Sequence, residues 1–287
     1  MNNYKRYTLQ DTLDSEKRAL FNVLSTFAGG GGSSTGYRLA GGKILAVNEF
    51  VPEAQNTYRE NYPNTTIVPG DIKKLTGTYL MEQAGVKVGE LDLLDGSPPC
   101  SAFSMAGSVS HGEGRTHADA FGKKKQYSDI KGVENVEDLF FEFLRVAKDI
   151  KPKVIICDEA VSALDVSVQA QIINLLKELQ AHYNYSYIFI SHDMSVIRHI
   201  CDRIAVMYAG RIVEFGTKDE VLNSPKHPYT EALLDAVPKI SNRKLKGKRK
   251  ILSGEPPDLS RERIGCSMFE RCGYRIEACQ TTPMKLL

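Results

Sequence analysis

Residues 21–32 read FNVLSTFAGGGG, in which an apolar run is followed at once by four glycines. The apolar run has the length of a buried strand. A glycine-rich turn after such a strand places backbone N–H groups beside the beginning of the next helix. We predict that helix over residues 33–39, with Ser33 or Ser34 as its N-cap. The segment therefore predicts a strand, a ligand-accepting turn and a helix in succession.

Apolar runs and amphipathic stretches alternate along the rest of the chain. The predicted strands are residues 44–50, 66–72, 91–95, 154–157 and 187–190, and the predicted helices are residues 51–61, 136–150 and 169–182. Strands that alternate with helices form a mainly parallel sheet with helices packed against it. The predicted fold class is therefore α/β, with a Rossmann-like sheet.

The composition is that of an ordinary globular chain. Hydrophobic residues make up 42% of the 287 residues and the formal net charge is +2, so the charge neither demands nor excludes a nucleic-acid partner. No apolar run approaches the ~20 residues that span a bilayer, and the first 20 residues are polar. We expect a cytoplasmic protein without a transmembrane segment. Its six cysteines are then expected to be thiols, ligands or nucleophiles rather than disulfides.

Two acids end predicted strands near the glycine turn. Glu49 follows Gly29 by twenty residues, a position from which a carboxylate accepts ribose hydroxyls. Asp71 ends the third predicted strand and could accept from an adenine amino group. A triphosphate-binding loop is excluded, because Ile44 stands where a hydroxyl residue should follow Lys43. These features favour a nucleoside-type ligand, and a glycine-rich turn with two surface acids is the alternative.

A cysteine follows the fourth predicted strand in the segment DGSPPCS, residues 95–101. The prolines stiffen this loop, and loops at the carboxyl ends of strands are where α/β sheets bind ligands. A lone cysteine is usually a small buried hydrophobic residue. The proline-rich loop and the neighbouring ribose-binding candidate favour a nucleophile at Cys100.

These motifs, in this order, resemble those of the DNA cytosine-5 methyltransferases. The matching segments are FAGGG at 27–31, NE at 48–49, GDI at 70–72, DGSPPC at 95–100, LFFEF at 139–143 and KPK at 151–153. The resemblance implies that S-adenosylmethionine is held by Phe27, Gly29, Gly30, Gly31, Glu49, Asp71 and Ile72. It also implies that Cys100 attacks C6 of a flipped cytosine in DNA, after which the methyl group moves to C5.

The family places a glutamate after the Lys-Pro-Lys strand, where this chain has Asp158. That glutamate helps to protonate cytosine N3, and aspartate is one methylene shorter. The segment ENV at 134–136 has the right residues, but it precedes the helix, and we interpret it as a coincidental match. We recognise neither the family's target-recognition region nor its closing motif after the strand. We therefore expect DNA methylation to be absent or very slow.

Residues 151–280 resemble the second half of the ATPase of oligopeptide-importing ABC transporters. The matching segments are VIICDE at 154–159, SALD at 162–165, SHD at 191–193, MYAGRIV at 207–213, HPYT at 227–230 and a cysteine-bearing tail. The resemblance implies four roles in ATP hydrolysis: magnesium support for Asp158, water polarisation for Glu159, a dimer contact for Asp165 and γ-phosphate sensing for His192. It also implies a possible peripheral transporter partner.

This ATPase-like part lacks the phosphate loop, the glutamine loop and the Leu-Ser-Gly-Gly-Gln signature. Without a phosphate cradle, we expect neither binding of ATP and magnesium nor ATP hydrolysis. Cys266, Cys272 and Cys279 could hold a metal or an iron–sulfur cluster, although such sites usually use four ligands. The basic run 242–250 could contact DNA or an acidic membrane, and a solvated tail is the ordinary explanation.

The sequence therefore predicts an apparent chimera. It predicts a polar segment at 1–20, an incomplete methyltransferase part at 21–157, a partial ATPase segment at 158–240 and a basic, cysteine-bearing tail at 241–287. Three interpretations stay open. The chain is an impaired DNA cytosine-5 methyltransferase-like protein, a truncated oligopeptide ABC transporter ATP-binding subunit with a foreign head, or a nonfunctional fusion.

Overall fold

A computed structural model describes residues 7–98, 116–118, 124–126, 137–159, 161, 166–237, 252, 254–258 and 265–282. Residues Thr8–His192 form one compact unit, and the described residues from Asp193 onward form a second. Each unit has its own secondary structure and is described separately.

A parallel sheet organises the first unit. The strands described there are β1 Phe21–Thr26, β2 Gly42–Glu49, β3 Thr66–Pro69, β4 Leu93–Gly96, β5 Thr116–Ala118, β6 Lys124–Gln126, β7 Val154–Asp158 and β8 Ser186–Ile190. Six of them form one sheet in the order β3-β2-β1-β4-β7-β8, with each neighbouring pair parallel. β5 and β6 pair separately and are antiparallel. The predicted mainly parallel α/β fold is confirmed.

Helices connect the strands of this sheet. They are α1 Leu9–Glu16, α2 Gly32–Leu39, α3 Pro52–Asn61, α4 Gly77–Ala84, α5 Glu137–Ile150 and α6 Val166–Tyr183. α3 begins with Pro52 in its first turn, as predicted, because the fixed φ of proline suits that position. The predicted cap of α2 at Ser33 or Ser34 is wrong. Gly31 is the N-cap, and its φ of 96° lies in the left-handed region that favours glycine.

The core of the first unit lies on both faces of the sheet. Val23, Leu24 and Ile155 are fully buried, as expected for strands covered by helices on each side. Gly96 at the end of β4 lies against the ring of Phe143 in α5, and a Cβ added there would come within 2.3 Å of that ring. The close packing of α5 against β4 therefore requires glycine immediately before the Ser-Pro-Pro-Cys segment.

β7 and β8 pair in parallel over five residues, from Val154 opposite Ser186 to Asp158 opposite Ile190. β7 ends at the predicted junction of the two resemblances, and β8 lies beyond it. β8 is the edge strand of the sheet as described, and Ile188 and Ile190 are half-exposed. The two parts of the sequence thus contribute neighbouring strands to one sheet.

The second unit begins with α7 Met194–Ile200. It continues through the antiparallel strands β9 Arg203–Tyr208 and β10 Arg211–Thr217 to α8 Lys218–Asn223, α9 Pro228–Ala236 and α10 Ala278–Thr281. Glu214 in β10 is buried and accepts the backbone N–H groups of Lys226 at 2.7 Å and His227 at 3.0 Å. This carboxylate fixes the turn before α9. Among the helices described in either unit, none has the length and apolar character needed to cross a membrane.

Candidate cofactor and nucleophile site

The carboxyl ends of β1, β2, β3 and β4 meet at one edge of the sheet, because the strands are parallel neighbours. The segments that follow them are residues 27–31, 50–51, 70–71 and 97–98. Most of the predicted cofactor residues therefore lie along this edge. It is also the edge at which open α/β sheets bind ligands.

The glycine loop after β1 has an unusual backbone. Phe27 has a φ of 55°, a conformation that bulky residues rarely adopt and that is often found at functional sites. Gly29 has a φ of 54°, and no atom of the described residues lies within 4 Å of the position that a Cβ would occupy. A Cβ on Gly31 would instead meet the rings of Tyr58 and Tyr62 at 3.1 Å. Among the described residues nothing covers the backbone of Gly29 at this position, whereas Gly31 packs inward.

Glu49 links this loop to the beginning of α3. Its side chain is buried, with 7% of the residue exposed. Oε2 accepts the N–H of Gly29 at 2.7 Å, and Oε1 accepts the N–H of Val51 at 2.8 Å. Each carboxylate oxygen has further lone pairs, so Glu49 could also accept from ribose hydroxyls. Glu49 thus lies beside the glycine turn, and its predicted binding of ribose hydroxyls stays a prediction.

Asn48, the buried neighbour of Glu49, positions the segment after β3 that carries Asp71. Its Nδ2 donates to the carbonyl oxygens of Val68 and Gly70, both at 3.0 Å. Asp71 follows directly and caps a short 3-10 turn by accepting the backbone N–H two residues on, at 3.0 Å. Ile72 is buried, so its side chain supports the site from the core.

Phe50 is a candidate site residue that sequence reasoning did not single out. It follows Glu49 directly at the carboxyl end of β2, and 37% of it is exposed. An exposed aromatic ring at a nucleoside site can stack on a planar base. The available signal was an aromatic residue immediately after a strand-ending acid.

Asp95 is the centre of a buried polar cluster between β1 and β4. Only 2% of it is exposed, and its Oδ2 accepts the hydroxyl of Ser25 at 2.7 Å. The hydroxyl of Tyr37 in α2 also interacts with this carboxyl group. Burial raises the pKa of Asp95, and the nearby carboxyl group of Asp158 raises it further. Sequence reasoning placed Asp95 in the cysteine motif without assigning it a role.

Asp158 ends β7 beside the first residues of the cysteine loop. The hydroxyl of Ser97 donates to its Oδ2 at 3.5 Å. Burial raises the pKa of Asp158, and the charge of Glu159 acts in the same direction. An aspartic acid that holds its proton more strongly than usual therefore contacts Ser97, the residue three positions before Cys100 in the sequence.

Glu159 and His192 lie close together, and the ATP-hydrolysis roles that the transporter resemblance implies for them stay predictions. Nδ1 of His192 lies 3.4 Å from Oε1 of Glu159, and both side chains are mostly exposed. Glu159 has a φ of 47°, and its N–H donates to the carbonyl oxygen of Ile190 in β8. This exposed pair is charged on both sides only when the imidazole is protonated.

Some predicted residues lie outside the part of the chain that the structure describes. These are Cys100, Asp165, the coincidental segment 134–136 and the segment 162–164. Their roles stay predictions.

The three tail cysteines are half-buried thiols of the second unit. The N–H of Cys266 donates to the carbonyl oxygen of Cys279 at 2.8 Å. Burial raises the pKa of Cys266, and the nearby thiols of Cys272 and Cys279 raise it further. Within the described residues, no group of three or more His, Cys, Asp or Glu side chains is arranged to hold a metal ion.

Two family models match the chain. The model of the C-5 cytosine-specific DNA methylases matches residues 21–196, and that of the oligopeptide/dipeptide transporter C-terminal region matches residues 213–279. Both predicted resemblances are thereby confirmed, in the predicted order along the chain.

Curated relatives with high identity are transporter subunits. The dipeptide transport ATP-binding protein DppF of Escherichia coli is 51% identical over 130 residues, which are 45% of this chain and 39% of that protein. The oligopeptide transport ATP-binding protein AppF of Bacillus subtilis is 48% identical over 135 residues, covering 47% and 41%. The chain spans about two fifths of the length of these relatives.

One solved structure is a prophage-encoded candidate DNA modification methyltransferase from E. coli. It has a TM-score of 0.39 and 20% identity, and the match covers 55% of this chain and 38% of that one. This likeness is too low to carry an argument. The first family model, in contrast, covers more than half of the chain and contains the whole strand-end site. The chain belongs to the C-5 cytosine-specific DNA methylase family.

Proposed function

We propose that this chain transfers a methyl group from S-adenosylmethionine to C5 of cytosine in DNA, with Cys100 as the nucleophile. The observation that supports this most is the hydrogen bond between Glu49 and the glycine loop at 2.7 Å. It brings an acid suited to a ribose to the open backbone face of Gly29. The proposed substrate is DNA. The proposed compartment is the cytoplasm.

The residues present fit the cofactor. The open face of Gly29 leaves room for close backbone approach, and the beginning of α2 offers N–H groups to a negatively charged group. In this proposal Glu49 binds the ribose, Asp71 accepts from the adenine amino group and Phe50 stacks on the adenine. Phe27, Gly30, Gly31 and Ile72 shape the rest of the site. Bound S-adenosylmethionine supplies the electrophilic methyl group.

The nucleophilic step uses Cys100 and an acid. The Cys100 thiolate forms a bond to cytosine C6 while N3 gains a proton, which leaves C5 electron-rich. C5 then takes the methyl group, which leaves S-adenosylhomocysteine. The C5 proton passes to water, the thiolate is eliminated, and the N3 proton returns to the acid, so that neutral 5-methylcytosine and free Cys100 are restored. Asp158 is the proposed acid for N3, because it lies beside Ser97 and burial favours its protonated form.

Asp158 is also the proposed cause of a slow reaction. Its side chain is one methylene shorter than the glutamate that the family resemblance implies at this position. Among the described residues of the cysteine loop, Asp158 contacts Ser97 at a distance of 3.5 Å, and this long contact is in keeping with the proposal. A general acid that is poorly placed forfeits part of the roughly 10²–10⁴-fold that such a group contributes.

A second candidate function comes from the transporter-like part. The match over 130 residues to a dipeptide transport ATP-binding protein supports descent from such a subunit. In this alternative, the chain would contact a membrane transporter through the second unit. The proposed boundary between the two inherited parts is after residue 157.

Methyl transfer is tested by incubating the full chain with DNA and tritium-labelled S-adenosylmethionine, followed by mass spectrometry of the nucleosides. We expect slow formation of 5-methylcytosine that Cys100→Ser abolishes. Asp158→Glu should accelerate the reaction at least tenfold, by recovering part of the roughly 10²–10⁴-fold that a well-placed general acid contributes. Asp158→Asn should slow it. Equal 5-methylcytosine from wild type and Cys100→Ser would contradict the proposal.

A further inference from the structure

The buried carboxyl group of Asp95 lies between the two loops that the proposed reaction must bring together. β1 leads into the glycine loop, and β4 leads into the segment that carries Cys100, five residues after Asp95. Ser25 and Asp95 are direct partners in the β1–β4 register. A methyl group that passes from a cofactor on the first loop to a base at the second must cross this strand boundary. A cofactor bound at the first loop that gives its methyl group to a base at the second would therefore bring its charged sulfur towards the β1–β4 boundary at which Asp95 lies.

The environment of Asp95 leaves its charge incompletely compensated. Its Oδ2 accepts from Ser25 at 2.7 Å, whereas its buried Oδ1 has no hydrogen-bond partner among the residues that the structure describes. The titratable groups that face it are Tyr37 from α2 and Cys157 and Asp158 from β7. None of the three is a cation. The hydroxyl groups of Ser25 and Tyr37 hydrogen-bond to the carboxyl group, but a negative charge on Asp95 has no positively charged partner among them.

We propose that Asp95 makes the cofactor site prefer the cationic sulfonium of S-adenosylmethionine to the neutral thioether of S-adenosylhomocysteine, and that binding of the cation releases a proton from this carboxyl group. The inference rests on the proposed function and adds to it a residue that distinguishes substrate from product. The proton passes from the carboxyl group to solvent, and the sulfonium replaces it as the compensating positive charge.

The direction of the pH dependence follows from the burial of Asp95. Burial raises its pKa, so the neutral acid persists to a higher pH than usual. As the pH rises through this pKa, the carboxylate forms and affinity for S-adenosylmethionine increases. Affinity for S-adenosylhomocysteine does not gain from this charge. The ribose, the adenine and the amino-acid part are identical in the two ligands, so the ratio of their dissociation constants isolates the sulfonium.

Isothermal titration calorimetry of the full wild-type chain with both ligands tests the proposal. Titrations at several pH values, in buffers of different ionisation enthalpy, give the ratio of dissociation constants and the number of protons released. We expect the preference for S-adenosylmethionine to grow with pH, with proton release for that ligand alone. A ratio that does not change with pH, with both ligands bound, would overturn the role of Asp95 and leave the proposed function standing. Failure of both ligands to bind would instead overturn the proposed function.

Asp95→Asn removes the charge but retains an acceptor for the hydroxyl of Ser25. We expect the preference to fall at least tenfold, the order expected for unit charges about 10 Å apart at an effective dielectric constant of about 20. The proton release should disappear, and persistent S-adenosylhomocysteine binding would show that the variant is folded. If the variant does not fold, the wild-type pH profile still decides.

Asp92→Asn is the matched control, because Asp92 precedes the same strand but pairs with Lys153 at 2.6 Å. It should leave the preference unchanged. Asp158→Asn separates the two acids. Loss of proton release in Asp158→Asn, with retention in Asp95→Asn, would overturn the assignment to Asp95.

Discussion

Replacement of Arg38 by methionine should lower the free energy of unfolding of the first unit by about 3 kcal/mol. Arg38 lies in the last turn of α2, the helix that follows the glycine loop, and only 1% of it is exposed. Its Nε lies 2.9 Å from Oε2 of Glu16 in α1, and its Nη2 donates to Thr65 at 2.7 Å. The guanidinium also stacks over the ring of Tyr62, 3.8 Å from its centre. One buried cation thus joins α1, α2 and the segment before β3.

The magnitude follows from what the substitution leaves behind. Removal of one partner of a buried ion pair costs about 3–5 kcal/mol, because the other charge stays desolvated. The side chain of Glu16 is 20% exposed, so water partly compensates it and the lower end of this range applies. Methionine retains much of the apolar packing of the arginine stem. Arg38→Lys should also destabilise the unit, because an ammonium group lacks the planar fork that reaches Glu16 and Thr65 together.

Urea denaturation measures this effect. The chain has no tryptophan, so unfolding is followed by far-ultraviolet circular dichroism and tyrosine fluorescence. The midpoint should fall without a change in the slope of the transition. Glu16→Gln should lower the free energy of unfolding less in the Arg38→Met background than in the wild type. The difference between the two values measures the coupling of the pair. Arg59→Met is the matched control, because Arg59 is exposed on α3 and donates to Asn56, a residue of the same helix, at 3.0 Å. A loss below about 0.5 kcal/mol for Arg38→Met, no larger than that of a typical surface substitution, would refute this reasoning.

Three further predictions follow from the packing and from the motifs. Gly29→Ala should weaken S-adenosylmethionine binding in calorimetry by filling the open face, whereas Gly31→Ala should chiefly lower the melting temperature by pressing on two tyrosine rings; equal effects of both on stability would contradict the assignment. Glu214→Gln should destabilise the second unit by about 1–2 kcal/mol, since it weakens two hydrogen bonds from backbone N–H groups, and an unchanged thermal transition would show that this turn is held otherwise. Phosphate release from ATP should stay at background, because no phosphate loop is present in the sequence, and turnover that disappears in Glu159→Gln would show the opposite.

The sequence predicted those features that depend on local pattern. The apolar runs of β1, β2 and β7 were recognisable because central parallel strands are buried on both faces. The twenty-residue spacing from Gly29 to Glu49 predicts a ribose-binding carboxylate. The contact between the two residues accords with the spacing, because one helix and one strand separate the ends of neighbouring parallel strands. Both family resemblances also depend on short ordered motifs.

Features that depend on distant contacts could not be predicted in this way. Asp95 meets Ser25 across seventy residues, and Arg38 meets Glu16 across twenty-two, so neither pair leaves a periodic signal in the sequence. The cap of α2 was misplaced because a left-handed φ at Gly31 is a property of the fold, whereas the serines that follow matched the usual cap preference.

The central claim is that this chain is an enzyme that binds its cofactor at the carboxyl ends of the strands and uses Cys100 as its nucleophile. DNA that contains 5-fluorocytosine tests it most directly, because the fluorine at C5 blocks the final elimination and traps the covalent adduct. The full chain is incubated for hours with this DNA and S-adenosylmethionine, and denaturing gels with intact mass spectrometry follow the product. The account predicts a small, slowly growing fraction of chain joined to DNA, increased in Asp158→Glu and absent in Cys100→Ser. An adduct that persists in Cys100→Ser, or no adduct in a chain that binds S-adenosylmethionine, would contradict it.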